Sequence, residues 1–190
     1  MLKDCDTLFK VITEKVAETD FTGYTTQYPP LLIWDDNIDD LAIKRLWKNA
    51  LRDNGNKFGI YIHVPYCKQK CTFCRYFSVE LNDGGTTELE NFLNSLEKEI
   101  CIYKDVFLKA SVSTLYFGGG TPAILNCAQI DRIFKLLFKN FDFSKCKQIT
   151  FEGNPNFLDK EKLALLKKSG VNRLTIGVQS LNGTVIKKNK

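Results

Sequence analysis

The sequence predicts an α/β fold built on a parallel β-sheet. Apolar, β-rich runs at residues 58–64, 112–117, 147–152 and 172–178 alternate with amphipathic helical stretches. Strands that alternate with helices form parallel sheets with right-handed crossovers. Each run ends in a polar or glycine-rich segment, and ligands of such sheets bind at the carboxyl ends of the strands. We therefore expect these segments to meet in one cleft.

The composition is that of one folded, metal-binding domain. The 190 residues are 44% hydrophobic with a net charge of +5, and no apolar run approaches the length of a membrane span. The charged N-terminus lacks a signal-peptide core, so we expect a cytoplasmic protein in which seven cysteines favour thiols and metal over disulfides. The lysines are scattered, which is typical of a solvated surface; nucleic-acid binding is the weaker alternative.

The chain is predicted to have an N-terminal extension over residues 1–57 and a core over 58–190. In the extension, residues 7–18 form a helix and the Tyr- and Pro-rich segment 23–34 forms an irregular arm. A second helix within 38–53 has an apolar stripe of Ile43, Leu46, Trp47 and Ala50, and Asn54-Gly55 ends it.

A cysteine motif follows the first strand of the core. Residues 58–64 alternate between apolar and other side chains, and Pro65 ends the strand. Cys67, Cys71 and Cys74 then give the spacing C-x3-C-x2-C. Three thiolates can hold three corners of a [4Fe–4S] cluster and leave the fourth iron open for chemistry. The alternative is a structural zinc site that uses the same cysteines and His63. Cys5, Cys101, Cys127 and Cys146 are scattered and are interpreted as small apolar residues.

The next unit carries a glycine loop. A turn at residues 82–85 precedes an amphipathic helix that extends to about residue 107, with Thr87 and Glu90 as its capping box. The second strand leads into Gly118-Gly119-Gly120-Thr121-Pro122, where the glycines let the backbone approach a ligand. A plain strand-to-helix turn is the alternative interpretation. Asn126 and Gln129 cap the following helix.

The last two strands each end in a polar side chain. Glu152 ends the third strand on the side opposite Ile149 and Phe151. Asp159 caps the next helix, and Gly170 ends it. Gln179 lies at the carboxyl end of the fourth strand, whereas Arg173 at its start is interpreted as structural.

The phrase IHVPYC with its three cysteines resembles the cluster loop of the radical S-adenosylmethionine (radical SAM) superfamily, and within it the oxygen-independent coproporphyrinogen III oxidase family. That family also includes haem chaperones and haem-degrading methyltransferases. GGGTP resembles its form of the superfamily's GGE-type motif, and EGNP and GVNRLTIGVQS are similar to its later phrases. The segment 23–34 is similar to the family's R-Y-T-S-Y-P phrase.

The resemblance implies a radical SAM partial (β/α) barrel, of which about four βα units are present here. It implies a [4Fe–4S] cluster whose open iron is chelated by S-adenosylmethionine, and reductive cleavage of that cofactor to a 5′-deoxyadenosyl radical. The implied cluster ligands are Cys67, Cys71 and Cys74. The implied cofactor contacts are Tyr61, Phe73, Gly119, Gly120, Thr121, Glu152 and Gln179.

By the same resemblance, the parent reaction is oxidative decarboxylation of a porphyrinogen propionate, with a tetrapyrrole as substrate and an electron donor such as flavodoxin or ferredoxin. Two departures bear on this. The oxidase follows its third cysteine with Gly-Cys, where this chain has Arg75-Tyr76, and a family arginine expected shortly after Gln179 is not supplied. We expect a fragment that is inactive alone, and a haem chaperone or a radical SAM methyltransferase as alternatives.

Overall fold

The computed structural model describes residues 39–74, 76–81 and 85–188. The predicted helix at 7–18 and the arm at 23–34 lie outside these residues.

The chain divides into two compact units, Met1–Ile43 and Lys44–Lys190. All the strands below belong to the second unit. The predicted division between residues 57 and 58 stays a prediction.

The elements follow one another in the order expected of repeated strand–helix units. In chain order they are α1 (Asp40–Asp53), β1 (Lys57–Val64), β2 (Tyr66–Cys67), β3 (Val79–Glu80), α2 (Thr86–Tyr103), β4 (Ser111–Gly119), α3 (Cys127–Asn140), β5 (Gln148–Gly153), α4 (Lys160–Lys168), β6 (Arg173–Ile176) and α5 (Gly183–Lys188). Short 3-10 turns at Pro122–Ile124 and Pro155–Phe157 follow β4 and β5.

Four of the strands form one parallel sheet, which confirms the predicted α/β class. Their order is β1-β4-β5-β6, so each strand lies beside the next one along the chain. The register pairs Val64 with Gly119, Phe117 with Phe151 and Gly153 with Ile176. The segments that follow β1, β4 and β5 therefore leave the sheet at the same edge.

The core lies on one side of this sheet. Val64, Phe117 and Phe151 are at most 1% exposed, and the Phe117 ring centroid lies 5.1 Å from that of Phe134 in α3. In β1, Ile62 and Val64 are buried whereas Tyr61 and His63 are exposed, as the alternating sequence predicts. The open face of the sheet is thus left with polar and aromatic side chains.

The helix predicted before β1 is present, but its apolar stripe is only partly used. Trp47 contacts Tyr103 and Phe107 with ring centroids 5.0 and 5.5 Å away, and Leu51 is buried. Leu46, by contrast, is 67% exposed. Gly55 after the helix has φ 62°, which fits its predicted role as a stop.

Two of the predicted helix starts are confirmed and one is wrong. Asn126 and Gln129 form a capping box, and the Asp159 side chain accepts a hydrogen bond from the backbone of Lys162. The box predicted at Thr87 and Glu90 does not form, because α2 begins after Gly85. Glu90 instead accepts hydrogen bonds from Gln129 Nε2 and Arg132 Nη1, which joins α2 to α3.

Candidate functional site

The cysteine motif lies on a loop that a small second sheet closes. β2 and β3 pair in parallel, and Leu81 N–H donates to the Cys67 carbonyl at 2.9 Å. Within the loop, Cys74 N–H donates to the Cys71 carbonyl at 3.0 Å. Cys67 and Cys74 are half-buried and Cys71 is exposed. The short strands were not predicted, because two residues are too few to show a periodicity.

The three thiols act on one another electrostatically. Partial burial raises the pKa of the Cys71 thiol, and negative charge on Cys74 and Cys67 raises it further. Three thiolates in one place repel one another unless a cation lies among them, and iron–sulfur clusters are held by such cysteine sets. The chemistry of this donor set therefore fits a cluster.

A single-ion geometry is not formed there. Across residues 39–74, 76–81 and 85–188, no three His, Cys, Asp or Glu side chains are grouped closely enough to hold one metal ion. Around a single zinc ion, ligands about 2.3 Å from the metal bring sulfurs within about 3.8 Å of one another.

The glycine loop packs directly against the cysteine loop. Gly120 N–H donates to the Val64 carbonyl and Thr121 N–H to the Tyr66 carbonyl, both at 2.8 Å. Thr121 Oγ1 lies 3.4 Å from Cys67 Sγ. These contacts bring Cys67 and Thr121, predicted from separate motifs, into one site.

Two of the glycines are required by this contact. A Cβ atom on Gly120 would lie 2.6 Å from the Tyr66 carbonyl oxygen and 2.9 Å from Cys67 Sγ. Gly119 has φ 111°, and a Cβ there would lie 2.7 Å from the Val64 carbonyl oxygen. The glycines thus let two chain segments approach each other, and the narrow cradle they form has no room for a side chain.

An aromatic and acidic group lies on the open face of the sheet beside these loops. Tyr116 donates a hydrogen bond to Glu152, and its ring stacks on Tyr61 at a centroid distance of 5.6 Å. The Tyr61 hydroxyl lies 3.3 Å from His63 Nδ1, and the imidazole packs against Gly119. His63, considered for a zinc site, therefore contacts Tyr61 and the glycine loop.

Tyr116 was not singled out from the sequence. Its hydrogen bond to Glu152, followed by partial burial and the Glu152 charge, raises its pKa from 10.0 to about 12, while Arg173 opposes the shift. Arg173, interpreted as structural, thus carries its charge close to this group. The signal for Tyr116 was available: in TLYFGG it alternates with the buried Leu115 and Phe117.

Three of the predicted cofactor contacts, Tyr61, Phe73 and Gln179, remain to be described. Tyr61 and Phe73 are 56% and 50% exposed. Gln179 follows β6 and has φ 64°, an uncommon backbone conformation for a residue other than glycine. Its Nε2 lies beside Gly177, whose N–H donates to the Gly153 carbonyl at 3.0 Å. Gln179 is thus held next to the end of β5.

The described helices include none with both the length and the apolar composition to cross a bilayer.

Comparison with known proteins is consistent with this geometry. The chain is 33% identical over 160 residues to the oxygen-independent coproporphyrinogen III oxidase of Escherichia coli K12, covering 84% of this chain and 34% of the relative. It is 33% identical over 132 residues to the heme chaperone HemW of Buchnera aphidicola subsp. Schizaphis graminum, covering 68% of this chain and 34% of the relative. It is 32% identical over 150 residues to the anaerobilin synthase of Escherichia coli O157:H7, covering 77% of this chain and 33% of the relative.

A solved structure has the same fold. The coproporphyrinogen III oxidase HemN of Escherichia coli, described as a radical SAM enzyme, superposes with a TM-score of 0.76 at 33% identity, over 86% of this chain and 37% of that one. This chain therefore spans about one third of the length of the curated relatives it matches. The partial barrel predicted by resemblance is confirmed.

The family itself is shown by a match over most of the chain. Residues 61–190 match the radical SAM superfamily, from the strand before the cysteines through the segment after Gln179. Proteins of this kind use a [4Fe–4S] cluster and S-adenosylmethionine, as expected from the sequence. On the fold and the match together, this chain belongs to the radical SAM superfamily of enzymes.

Proposed function

We propose that this chain is the cluster- and cofactor-binding part of an oxidoreductase of the oxygen-independent coproporphyrinogen III oxidase type. The observation that carries the proposal is the packing of Gly120 and Thr121 against Cys67. It brings the predicted methionine-binding loop against the predicted cluster loop, as one shared site requires.

In this proposal, Cys67, Cys71 and Cys74 hold the cluster. When bound, the cluster and S-adenosylmethionine supply a one-electron reductive cleavage that gives a 5′-deoxyadenosyl radical. Gly119, Gly120 and Thr121 present backbone groups to the methionine end of the cofactor, and Glu152 and Gln179 contact its polar groups. Tyr61 and Phe73 pack beside it.

The chain's own residues prepare the site for that cofactor. Tyr116 donates its hydroxyl proton to a hydrogen bond with Glu152, which fixes the carboxylate on the open face of the sheet. The Glu152 carboxylate can still accept hydrogen bonds from a cationic amine, because one hydroxyl occupies only one of its several acceptor positions. The Tyr61 ring, stacked on Tyr116, limits the directions in which that pair can move.

The substrate proposed for the whole protein is a tetrapyrrole. Hydrogen abstraction from a propionate side chain of coproporphyrinogen III would begin its oxidative decarboxylation. A reduced flavodoxin or ferredoxin would supply the electron for cleavage of the cofactor. The substrate radical would then release CO2 and pass one electron to an electron acceptor, leaving a vinyl group, and the reaction would take place in the cytoplasm. The support is the similarity to the Escherichia coli oxidase in sequence and fold.

A haem chaperone is the second candidate, and a specific observation favours it. The relative named heme chaperone HemW is as similar over the region it covers as the oxidase is. Arg75-Tyr76 also stands where the oxidase has Gly-Cys after the third cysteine. In this alternative the cluster site is the same, but haem is bound and transferred and no propionate is decarboxylated.

Cofactor binding tests the proposal without requiring turnover. The chain is reconstituted anaerobically with iron and sulfide, reduced, and titrated with S-adenosylmethionine while the electron paramagnetic resonance spectrum is recorded. A spectrum that changes on titration, and that Cys71→Ala abolishes, is the expected result. A cluster signal that S-adenosylmethionine leaves unaltered would contradict it. Haem binding compared with decarboxylation of coproporphyrinogen III then separates the two candidates.

A further inference from the structure

A buried lysine lies behind the candidate site and is not explained by the reaction. Lys162 is in the first turn of α4 and is 7% exposed. Its Nζ donates to the Ala123 carbonyl at 2.7 Å and to the Phe157 carbonyl at 2.8 Å. Burying an ammonium group is costly unless it is hydrogen-bonded, so its position has to be compensated by these contacts.

The two carbonyls belong to different loops of the site. Ala123 lies in the 3-10 turn directly after Gly119-Gly120-Thr121, and Phe157 ends the 3-10 turn that follows Glu152 and Gly153. One ammonium group therefore joins the loop after β4 to the loop after β5. Because Lys has three donors and no acceptor, it can hold two carbonyls at once.

The hydrogen-bonded pairing of β4 with β5 stops before these two loops. The paired register of β4 and β5 ends at Phe117 and Phe151, before either loop begins. On the open face, the Tyr116–Glu152 hydrogen bond links the two strands. Lys162 provides a second link, from α4, beyond the last paired residues.

The link continues to the cysteine loop. Ile124 N–H donates to the Thr121 carbonyl at 2.9 Å within the turn that Lys162 holds. Thr121 in turn contacts Cys67 Sγ and donates its N–H to Tyr66. A shift of the turn at Ala123 therefore moves the atoms that touch the cysteine loop.

We propose that Lys162 is a positioning residue. It fixes the glycine loop relative to the loop that follows Glu152, so that both loops bind one S-adenosylmethionine molecule. The proposal rests on the proposed function for the identity of that cofactor. The clamp, by which we mean the two hydrogen bonds from Lys162 Nζ to the Ala123 and Phe157 carbonyls, is a property of the metal-free chain. Burial lowers the pKa of Lys162, and the Asp159 carboxylate opposes this shift. That carboxylate helps to keep the ammonium charged.

The first test uses hydrogen exchange in the metal-free protein. Three amides report the two turns because each is hydrogen-bonded inside one of them: Ile124, Leu125 and Phe157. Lys162→Met removes both contacts of the ammonium, and we expect exchange to accelerate about ten-fold or more in both turns together, since hydrogen bonds to charged groups are among the stronger ones. Lys162→Arg, which retains charge and several donors, should restore protection in at least one turn.

The matched control is Leu166→Ala, one turn along the same helix. Leu166 is 2% exposed and its truncation weakens the packing of α4 without removing a contact to either carbonyl. We expect it to lower the free energy of unfolding of the whole protein. Once exchange is corrected for that loss, the amides of the two turns should be as protected as in the wild type. Equal acceleration in Leu166→Ala and Lys162→Met would overturn the proposal, as would unchanged exchange in Lys162→Met. If Lys162→Met does not fold, Lys162→Gln takes its place in the same comparison.

The second test measures affinity for S-adenosylmethionine in the reconstituted protein. We expect Lys162→Met to retain the iron content of the wild type. It should bind the cofactor about ten-fold more weakly, which is typical when a residue that holds the ligand-binding groups in place is lost. Leu166→Ala should bind as the wild type does. Wild-type protein that binds no cofactor, while Lys162→Met still accelerates exchange, would reject the proposed function and leave the clamp in place. Equal affinity in wild type and Lys162→Met would reject the positioning role alone.

Discussion

Replacing Gly120 with alanine tests the contact between the glycine loop and the cysteine loop. The added Cβ would lie 2.6 Å from the Tyr66 carbonyl oxygen, 2.9 Å from the Tyr66 carbonyl carbon and 2.9 Å from Cys67 Sγ. Real Cβ atoms essentially never come within 3.0 Å of a heavy atom outside their own residue and its chain neighbours, and two of these three atoms are backbone atoms that cannot rotate away. The two loops therefore have to separate.

The expected loss of stability follows from that separation. Overpacking of a tight site costs about 1–3 kcal/mol. The hydrogen bonds from Gly120 N–H to Val64 and from Thr121 N–H to Tyr66 cross the same contact, and weakening one of them costs about 0.5–1.5 kcal/mol. Lower unfolded-state entropy of alanine offsets about 0.4–1 kcal/mol. We expect a net loss of about 0.5–4 kcal/mol, with a central value of about 2 kcal/mol.

Urea unfolding of the metal-free, reduced protein measures this loss, and iron content after reconstitution measures displacement of Cys67. Gly183→Ala is the matched control, because no atom lies within 4 Å of its added Cβ. We expect Gly183→Ala to unfold at the wild-type midpoint or slightly above it, and Gly120→Ala to unfold earlier and take up less iron. If Gly120→Ala matched the wild type in both measurements, the packing of the two loops would be refuted.

Three further predictions concern the scaffold and the open face. Phe151→Ala, at a side chain that is fully buried in β5, should lower the free energy of unfolding by about 3–5 kcal/mol. Phe77→Ala at a 74% exposed position should change it by less than about 0.5 kcal/mol, and equal urea midpoints for the pair would contradict the described core. Asn126→Ala removes the cap of α3 and should cost about 0.5–2 kcal/mol, which thermal unfolding followed by circular dichroism can detect. Tyr116 titrates near 12 when folded against 10.0 for the free side chain, so the stability from its bond to Glu152 is fully present below pH 10.0 and is lost as the pH rises through about 12. In Glu152→Gln, ultraviolet titration should show Tyr116 ionising closer to pH 10.0, and the pKa of Tyr61 should fall too because, besides burial, the Glu152 charge also raises it. Superimposable titration curves would contradict this.

The sheet and its order of motifs could be predicted because they rest on local periodicity. Alternation in residues 58–64 fixes which side chains of β1 are buried, and the same rule applied to β4 separates Phe117 from Tyr116. The caps at Asn126 and Asp159 are likewise local, since a side chain there bonds the backbone three residues later.

Other features depend on partners that are distant in the sequence. Glu90 has the spacing of a capping box, but its carboxylate accepts hydrogen bonds from Gln129 and Arg132 on α3 instead. No local sequence pattern around Glu90 indicates these distant partners. Lys162 looks like any other lysine of a helix, and only the packing of α4 beneath two loops buries it. Leu46 fits the same helical stripe as Trp47, but only Trp47 meets the distant Tyr103, whereas Leu46 is 67% exposed.

The central claim is that Cys67, Cys71 and Cys74 together hold one iron–sulfur cluster against the glycine loop. Iron and sulfide per chain after anaerobic reconstitution test it most directly, with each of these cysteines replaced in turn by alanine and with Cys101→Ala as the control. The account predicts about four irons and four sulfides in the wild type and in Cys101→Ala, and loss of the cluster in each of the other three variants. Zinc bound in place of iron, or a full cluster in the Cys71→Ala protein, would contradict it.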